Sequence, residues 1–361
     1  MAQQYDYVIS VRDVDDSGKF GTEPGDETRF LKVPAAQAEY TPAHAVSFER
    51  WRSEVNEIAA RDEESPVGSK GDLLIFVHGY NNKRSEILTR TRLLRETLGV
   101  EEWDGAVVAF DWPCDQSTLN YLEDRSDARD TALRLVKDCV LKLGAIQDPE
   151  DRQLWKDAEL SEAARRRAKK CDLNIHLIGH STGAYVIMEA FAQAEAEGSL
   201  HRSGWRIGQV AFIGGDVSSD SISAGSDWSK PMFQRIMRLT NYSNGFDDVL
   251  AVSNAKRLGT APRVGRVGLP GNVGRKAVNV DCSDYFKTID PDTAKFVGWF
   301  PHSWHIGDPV FARDLAMTLE GRYDRNVLPT RTAENGKLRL SDEGRPVFED
   351  KWNVVGNWSG E

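Results

Sequence analysis

Residues 174–183 read Asn-Ile-His-Leu-Ile-Gly-His-Ser-Thr-Gly, and residues 184–196 that follow favour a helix. The apolar part is typical of a buried strand, so the stretch predicts a strand that turns at 179–183 directly into a helix. A serine on such a strained turn holds its Oγ clear of the backbone. The glycines on either side are needed because a Cβ there would collide with the adjoining strand or helix. The stretch therefore predicts that Ser181 is a nucleophile.

The surrounding chain alternates between apolar strands and helices. Before Ser181, strands are predicted at 73–77 and 106–110, and helices at 84–98, 127–143 and 150–170. After it, strands are predicted at 209–214, 236–242 and 277–280, and a helix at 309–319. Continuous apolar strands that alternate with helices predict an α/β fold, with a mostly parallel sheet covered by helices on both faces. Reactive groups of such sheets collect at the carboxyl ends of the strands.

The two ends of the chain lie outside this alternation. Strands are predicted at 5–11 and 28–33 as edge strands with a turn between them. The turn resembles the start of a calcium loop, but its twelfth position is Pro24 where a bidentate Glu is required. Residues 1–320 are predicted to form one domain, with 1–70 as N-terminal strands and lead-in. Residues 321–361 are predicted to be a polar C-terminal extension, either an edge hairpin or a packed tail.

Composition and charge exclude several classes of partner. The 361 residues carry a net charge of −10, so no basic excess is available to neutralise the phosphates of a nucleic acid. The four cysteines have no metal-type spacing and fit reduced thiols. The N-terminus has no signal pattern, and no apolar run approaches membrane-spanning length. The sequence predicts a cytoplasmic protein with no membrane span, no metal and no organic cofactor.

A serine nucleophile needs a base and an acid. The base takes the hydroxyl proton, and the acid holds the base in one tautomer. When the serine lies on a strand–turn–helix, the acid and then the base follow it in the chain. Asp247, just beyond the predicted strand 236–242, is the first choice for the acid. Asp248 and Asp216 remain alternatives.

Two of the seven histidines, His302 and His305, follow these acids, in a loop that leads into a helix. One of them is predicted to be the base, and His302 is favoured. His176 is expected to pack within its strand, and His180 occupies the variable position of the turn. His78 ends an early strand and is expected to hydrogen-bond within its own loop.

Acyl transfer also needs two backbone N–H donors for the oxyanion. One donor is predicted to be Thr182, the residue after the nucleophile. The other is predicted to be Tyr80, in the loop 78–82 that follows the strand at 73–77. Gly79 allows the turn that aims the Tyr80 N–H inward.

Five motifs, in this order, resemble a family of bacterial α/β-hydrolase-like proteins of unknown function in the esterase/lipase superfamily. They are His78-Gly79-Tyr80-Asn81, Trp112-Pro113 with Tyr121 and Asp124, Gly179-His180-Ser181-Thr182-Gly183, Tyr242 to Asp247 with Leu250, and His302-Ser303-Trp304. The resemblance spans roughly residues 70–320 and implies an α/β-hydrolase fold. It also implies a triad in which His302 is the base and Asp247 the acid. Cys114 and Thr182 depart from the family pattern, and the substrate stays open.

With these motifs the sequence predicts a serine hydrolase that cleaves small carboxylic esters through an acyl-enzyme. One alternative is a lipase or phospholipase, and another is a non-catalytic binding protein with the hydrolase fold. A lipase needs an apolar lid. The segment 218–232, where a lid could lie, is polar, which favours small or soluble esters. The basic cluster at 165–170 is predicted to be the solvated end of a helix.

Overall fold

The computed structural model describes residues 3–59, 72–114, 121–144, 174–198, 207–255, 261–321 and 324–343, without the side chains of 121–125. Three expectations fall outside these ranges. They are the helix at 150–170, its basic cluster, and the environment of Cys171.

An eleven-stranded sheet forms the centre of the described part. Its strands are β1 (Tyr5–Val14), β2 (Phe20–Pro34), β3 (Ala45–Val46), β4 (Asp72–Val77), β5 (Ala106–Asp111), β6 (Asn174–His180), β7 (Ile207–Ile213), β8 (Ile236–Ser243), β9 (Ala277–Asp281), β10 (Arg331–Glu334) and β11 (Lys337–Leu340). Their order in the sheet is β10-β11-β9-β8-β7-β6-β4-β5-β1-β2-β3. The run from β11 to β1 is parallel throughout. The predicted mostly parallel sheet is therefore confirmed.

The direction of chain progression reverses in the middle of the sheet. The chain moves from β4 to its neighbour β5 on one side, and then returns to place β6 on the other side of β4. At such a reversal the connections leave in opposite directions and open a crevice at the carboxyl ends of the strands. Here those ends are Val77 of β4 and His180 of β6. The fold thus places the loop after β4 beside the turn after β6.

Helices cover both faces of the sheet. They are α1 (Phe48–Ala59), α2 (Arg84–Val100), α3 (Tyr121–Arg134), α4 (Leu141–Gly144), α5 (Thr182–Ala196), α6 (Lys230–Arg235), α7 (Asp248–Ala255), α8 (Val264–Val267), α9 (Ser283–Phe286), α10 (Phe300–Ser303) and α11 (Pro309–Glu320). A π-helical segment, Leu135–Val140, joins α3 to α4. The helix predicted to begin at 127 therefore begins at Tyr121.

Alternation along β4 shows how the two cores are separated. Leu73, Ile75 and Val77 pack with residues of α1, α3 and α5 on one face. Leu74 and Phe76 pack with residues of α2 and α11 on the other face. Successive side chains of a strand point to opposite faces, and every residue of β4 is buried, as a strand covered on both sides requires.

The N-terminal strands differ from the prediction in two respects. They are longer than predicted, and neither is an edge strand, since β1 lies between β5 and β2, and β2 lies between β1 and β3. The hairpin of β10 and β11 lies within the predicted C-terminal extension, and β11 pairs with β9. The hairpin alternative is therefore observed for that part, while the domain boundary at 320 stays a prediction.

None of the helices in the described ranges combines the length and the hydrophobicity needed to cross a bilayer. Cys114, Cys139 and Cys282 are buried free thiols.

Candidate active site

Ser181 lies on a sharp turn between β6 and α5. Its backbone has φ 56° and ψ −122°, a conformation that costs a residue with a Cβ on the order of 1–3 kcal/mol. A Cβ added to Gly183 would lie 2.1 Å from the carbonyl oxygen of Val77, and one added to Gly179 would lie 2.8 Å from the Ala184 nitrogen. The two glycines allow β6, the turn and α5 to pack closely, as the sequence predicted.

Hydrogen bonds from neighbouring segments hold this strained turn in place. The Ser181 N–H donates to the Ile213 carbonyl at 3.1 Å, and the Ser181 carbonyl accepts from Asp216 N at 2.9 Å and from Ala184 N at 3.1 Å. Both Ile213 and Asp216 belong to the end of β7 and the loop after it. Strained conformations persist when surrounding contacts over-determine them, and the turn is fixed here from two sides.

Asp247 and His302 form a buried pair near this turn. The Nδ1–H of His302 donates to Oδ2 of Asp247 at 2.6 Å. Asp247 is fully buried in the loop after β8, and its Oδ1 accepts from Leu250 N at 3.0 Å at the start of α7. With Nδ1 donating to the carboxylate, a neutral imidazole presents Nε2 as an acceptor. The hydrogen bond thus has the direction expected when a carboxylate orients a histidine that can act as a base.

The pair is joined to the Ser181 turn through shared neighbours. The Nε2–H of His180 donates to the main-chain carbonyl of His302 at 3.0 Å, and the two imidazole rings are 4.8 Å apart. Gly214 follows Ile213, and a Cβ there would lie 3.1 Å from the His302 ring. The described contacts include no hydrogen bond between Ser181 Oγ and His302. Such bonds are often long in unliganded sites and shorten when substrate binds.

The alternative acids have other partners. Asp216 forms an ion pair with Nε of Arg263 at 3.1 Å and accepts from Ser253 Oγ at 2.8 Å. Asp248 accepts from Trp299 Nε1 at 2.8 Å at the protein surface. Neither carboxylate contacts a histidine among the described residues.

His305, the alternative base, is fully buried, and neither of its ring nitrogens has a hydrogen-bond partner within the described part of the chain. Its ring stacks on Trp304 with the centroids 4.1 Å apart. Burial, with a smaller contribution from the charge of His302, lowers the pKa of His305 to about 3. This environment favours a neutral ring that packs against Trp304.

The loop after β4 lies against the nucleophile turn. A Cβ added to Gly79 would lie 2.7 Å from Cβ of Ser181. The Gly79 carbonyl accepts from Nδ1 of His78 and from Nδ2 of Asn82, each at 2.7 Å. A trans peptide directs its N–H opposite to its C=O. Fixing the Gly79 carbonyl therefore aims the Tyr80 N–H away from His78 and Asn82, and His78 has the structural role that the sequence predicted.

A buried network of charged and polar side chains from β1 and the end of β5 packs against this loop. The Trp112 indole stacks on His78 and donates to the His78 carbonyl at 2.8 Å. Asp111 lies 3.4 Å from His78 Nε2 and pairs with Arg12 of β1 at 2.8 Å. Burial lowers the pKa of His78, but hydrogen bonding to Asp111 and to Cys114, with the charges of both groups, raises it overall to about 9. Arg12 of the N-terminal strand β1 is thus linked to His78 of the loop through the Asp111 carboxylate.

Two buried polar side chains beside the turn were missed in the sequence. His180 was treated as a variable position, yet it bonds the His302 main chain. Arg90 of α2 is 5% exposed and donates to His180. Its position carried a signal, because it falls on the buried helical stripe of Ile87, Leu94 and Leu98. A charged residue on such a stripe requires a specific partner.

Within the described ranges, no cluster of three or more His, Cys, Asp or Glu side chains could hold a metal ion. The side chains of Tyr121 and Asp124, which belong to the Trp-Pro motif, lie outside the described part.

Comparison with known proteins identifies the family of the chain. A model of the family described as alpha/beta hydrolase of unknown function (DUF900) matches residues 64–270, more than half of the chain. No curated protein shows significant sequence similarity to the chain.

Several solved structures resemble the fold. Carboxyl esterase 2 from the mycorrhizal fungus Tuber melanosporum is 9% identical with a TM-score of 0.37, and the match covers 88% of each chain. An esterase from Pyrobaculum calidifontis is 12% identical with a TM-score of 0.31, over 69% of this chain and 76% of that chain. Esterase B from Lactobacillus rhamnosis, inhibited by a tributyrin phosphonate, is 10% identical with a TM-score of 0.34, over 89% and 87%.

Proposed function

The chain belongs to the alpha/beta hydrolase family of unknown function (DUF900) and has the α/β-hydrolase fold, and we propose that it is a serine hydrolase that cleaves carboxylic esters. The observation that carries the proposal is the buried Asp247–His302 hydrogen bond of 2.6 Å beside the strained Ser181 turn. Strain in a residue with a Cβ is costly, and it clusters at sites where geometry serves chemistry.

The proposed reaction proceeds in two steps. Ser181 Oγ attacks the ester carbonyl while His302 Nε2 takes the hydroxyl proton, and Asp247 holds the imidazole in the required tautomer. The tetrahedral intermediate collapses, the alcohol leaves with the proton from His302, and an acyl-serine remains. Water then attacks the acyl group, His302 takes a proton from it, and the acid is released as the proton returns to Ser181 Oγ.

The proposed oxyanion donors are the backbone N–H groups of Tyr80 and Thr182. Thr182 begins α5, so its N–H lies at the positive end of a helix dipole. The Tyr80 N–H is aimed by the bonds that hold the Gly79 carbonyl. Removing one such donor typically costs about 10²–10³ in kcat. These two groups would therefore stabilise the negative charge that develops on the oxyanion.

The test is covalent labelling. A fluorophosphonate probe is expected to modify Ser181, identified by peptide mass spectrometry. Ser181→Ala is expected to abolish both labelling and hydrolysis of p-nitrophenyl esters, by about 10⁴-fold or more, because triad residues act as a unit. A folded wild type that takes up no probe would favour the non-catalytic binding protein. Undiminished labelling in Ser181→Ala would contradict the assignment of the nucleophile.

A lipase is the second candidate, because large apolar side chains are exposed near the acid and the base. Trp299 is 60% exposed and Phe246 is 46% exposed. The segment 218–232, however, is packed and is not a free apolar flap. Ile222 and Met232 are fully buried, and Trp228 packs on Tyr185 with the ring centroids 5.6 Å apart.

Chain length separates the two candidates. An esterase without a flap is expected to hydrolyse acetyl and butyryl esters faster than palmitoyl esters, with a rate that saturates on monomeric substrate. A series of p-nitrophenyl esters, measured below and above the critical micelle concentration, tests this. A jump in rate when micelles form would support the lipase.

A further inference from the structure

Arg90 is a buried cation with no carboxylate partner among the described residues. It lies in the middle of α2 and is 5% exposed. Its guanidinium donates to Nδ1 of His180 at 3.2 Å, to the Val297 carbonyl at 2.7 Å and to Ser303 Oγ at 3.4 Å, while its Nε has no partner in the described ranges. Burial lowers the pKa of Arg90 to about 10, against a smaller opposing effect of the charge of Glu86. Such a charge is expensive to bury.

The fold makes room for this guanidinium at one backbone position. Gly298 has φ +104°, and a Cβ there would lie 2.4 Å from Nη2 of Arg90 and 2.9 Å from Ser303 Oγ. The loop that carries His302, residues 287–308, therefore passes directly over the Arg90 guanidinium. It is the base loop of the proposed site. Two of the three acceptors of Arg90, Val297 and Ser303, belong to that loop, and the third belongs to the nucleophile turn.

The bonds of Arg90 determine the tautomer of His180. A guanidinium can only donate, so Nδ1 of His180 must be its acceptor. The proton of the neutral ring is then on Nε2, from where it donates to the main-chain carbonyl of His302 at 3.0 Å. Burial, followed by the charges of Arg90 and His302, holds the pKa of His180 well below its usual range. The ring stays neutral, and both of its nitrogens have definite roles.

From these contacts we infer that Arg90 is a positioning residue of the proposed hydrolase, acting through His180 on the main chain of His302. The inference rests on the proposed function and concerns the same site. Arg90 connects α2, the nucleophile turn and the base loop, and so fixes the distance between Ser181 and the imidazole. Misplacement of a reacting group by about 1 Å can cost about 10²-fold in rate. Substrate contacts are not involved, so KM should be unaffected.

The variant Arg90→Met removes the charge and the donors but keeps much of the side-chain volume. It is expected to fold with reduced stability, because the acceptors at His180, Val297 and Ser303 lose their donor while a charge that is costly to bury is also removed. We expect kcat for p-nitrophenyl acetate to fall by about 10²-fold with little change in KM. Arg90→Lys keeps the charge and one donating nitrogen and should restore part of the loss. Arg92→Met is the matched control, because it removes the same charge from the same helix, while Asp6 keeps Arg95 as a partner.

A second variant tests the route through His180. His180→Phe keeps a ring but removes both hydrogen bonds. The double variant Arg90→Met with His180→Phe should lose less activity than the two single losses combined, because the route from Arg90 through His180 is already broken in His180→Phe and only the bonds of Arg90 to Val297 and Ser303 remain to be lost. Losses that add fully would mean that Arg90 acts by another route, which would overturn the inference.

Long-range ¹H–¹⁵N spectra of the imidazoles give a readout that needs no activity. The wild type should show His180 with the proton on Nε2 and with Nδ1 accepting a hydrogen bond. Arg90→Met should keep that tautomer, because the His302 carbonyl still requires the proton on Nε2, but should shift the Nδ1 resonance towards that of an unbonded acceptor nitrogen. An unchanged Nδ1 resonance, or wild-type kcat in Arg90→Met while the wild type labels at Ser181, would overturn this inference alone. A wild type with the expected tautomer but no labelling would instead overturn the proposed function.

Discussion

The turn that carries Ser181 and the loop that carries His302 meet at the same edge of the sheet, but different forces hold them. The turn is bounded by β6 and α5, relies on Gly179 and Gly183, and is held by main-chain hydrogen bonds to the end of β7 and the loop after it. The base loop has only the four-residue helix α10, and it is held by side chains from distant elements. Among these are Asp247 after β8 and Arg90 of α2.

This difference has a consequence for substitutions. Changes at the turn should act through backbone packing, and therefore on folding as well as on chemistry. Changes around the base loop should act through single hydrogen bonds, and therefore on rate with less effect on stability. The predictions below test that contrast, beginning with the largest expected effect.

Loss of the base should be nearly as damaging as loss of the nucleophile. His302→Ala is expected to lower kcat/KM for p-nitrophenyl acetate by about 10⁴-fold. The control is His305→Phe, which should keep nearly wild-type activity because neither nitrogen of His305 has a hydrogen-bond partner among the residues that the structure describes, and an aromatic ring would still pack on Trp304. Near-ultraviolet circular dichroism would check that both variants are folded. The reverse pattern of activities would assign the base to His305.

Substitution of the two buried carboxylates should change different properties, namely turnover for Asp247 and stability for Asp216. Asp247→Asn is expected to lower turnover by roughly 10³–10⁴-fold, because the amide permits the wrong tautomer of His302. Asp216→Asn should keep turnover but lower stability by about 3–5 kcal/mol, since the buried Arg263 loses that carboxylate. Steady-state kinetics and denaturant unfolding, measured for both variants, would show that one substitution lowers turnover and the other lowers stability. A severe loss of turnover in a folded Asp216→Asn would move the acid to that position.

The turn itself should be intolerant of a single methyl group. Gly183→Ala places a Cβ 2.1 Å from the Val77 carbonyl, and the backbone of β4 cannot move as a flexible side chain could. Overpacking of this kind costs about 1–3 kcal/mol or more. Gly99→Ala is at a helical position where the added Cβ would have no described atom within 4 Å, apart from its chain neighbours and the backbone of its own helix. It should be neutral or slightly stabilising. Urea unfolding compares the two, and equal stability of both variants would show that the close packing is unimportant.

The base loop should make the fold sensitive to acid. The pKa of His305 is about 3 in the folded protein, below the value near 6.5 expected when it is unfolded. Below pH 6.5 the unfolded chain therefore binds a proton that the folded chain does not, and stability is lost as the pH falls towards 3. The loss is about 1.4 kcal/mol per pH unit for one proton. His305→Phe should show a shallower decline between pH 6 and 4 in thermal unfolding, and parallel curves would contradict this.

Much of the fold and part of the candidate site could be predicted from the sequence. The strand–turn–helix around Ser181 was predictable because its determinants are local, namely an apolar run, two glycines and a helix-forming segment. The parallel sheet followed from the alternation of apolar strands with helices. The position of β1 inside the sheet was not predictable, since it depends on pairing with β5, about 100 residues later in the chain.

Only the tertiary structure decided which charged and polar groups meet. Asp216, Asp247 and Asp248 all follow strands, and sequence pattern alone cannot show that one bonds a histidine, one an arginine and one an indole. The hydrogen-bond partners of Arg90 could not be predicted for the same reason, since the helical pattern indicates only that its position is buried. Periodicity reports which face of an element is buried, whereas a hydrogen bond depends on the relative placement of elements far apart in the chain. The sequence by itself thus determined the turn and the sheet, and packing determined the pairing of the side chains around them.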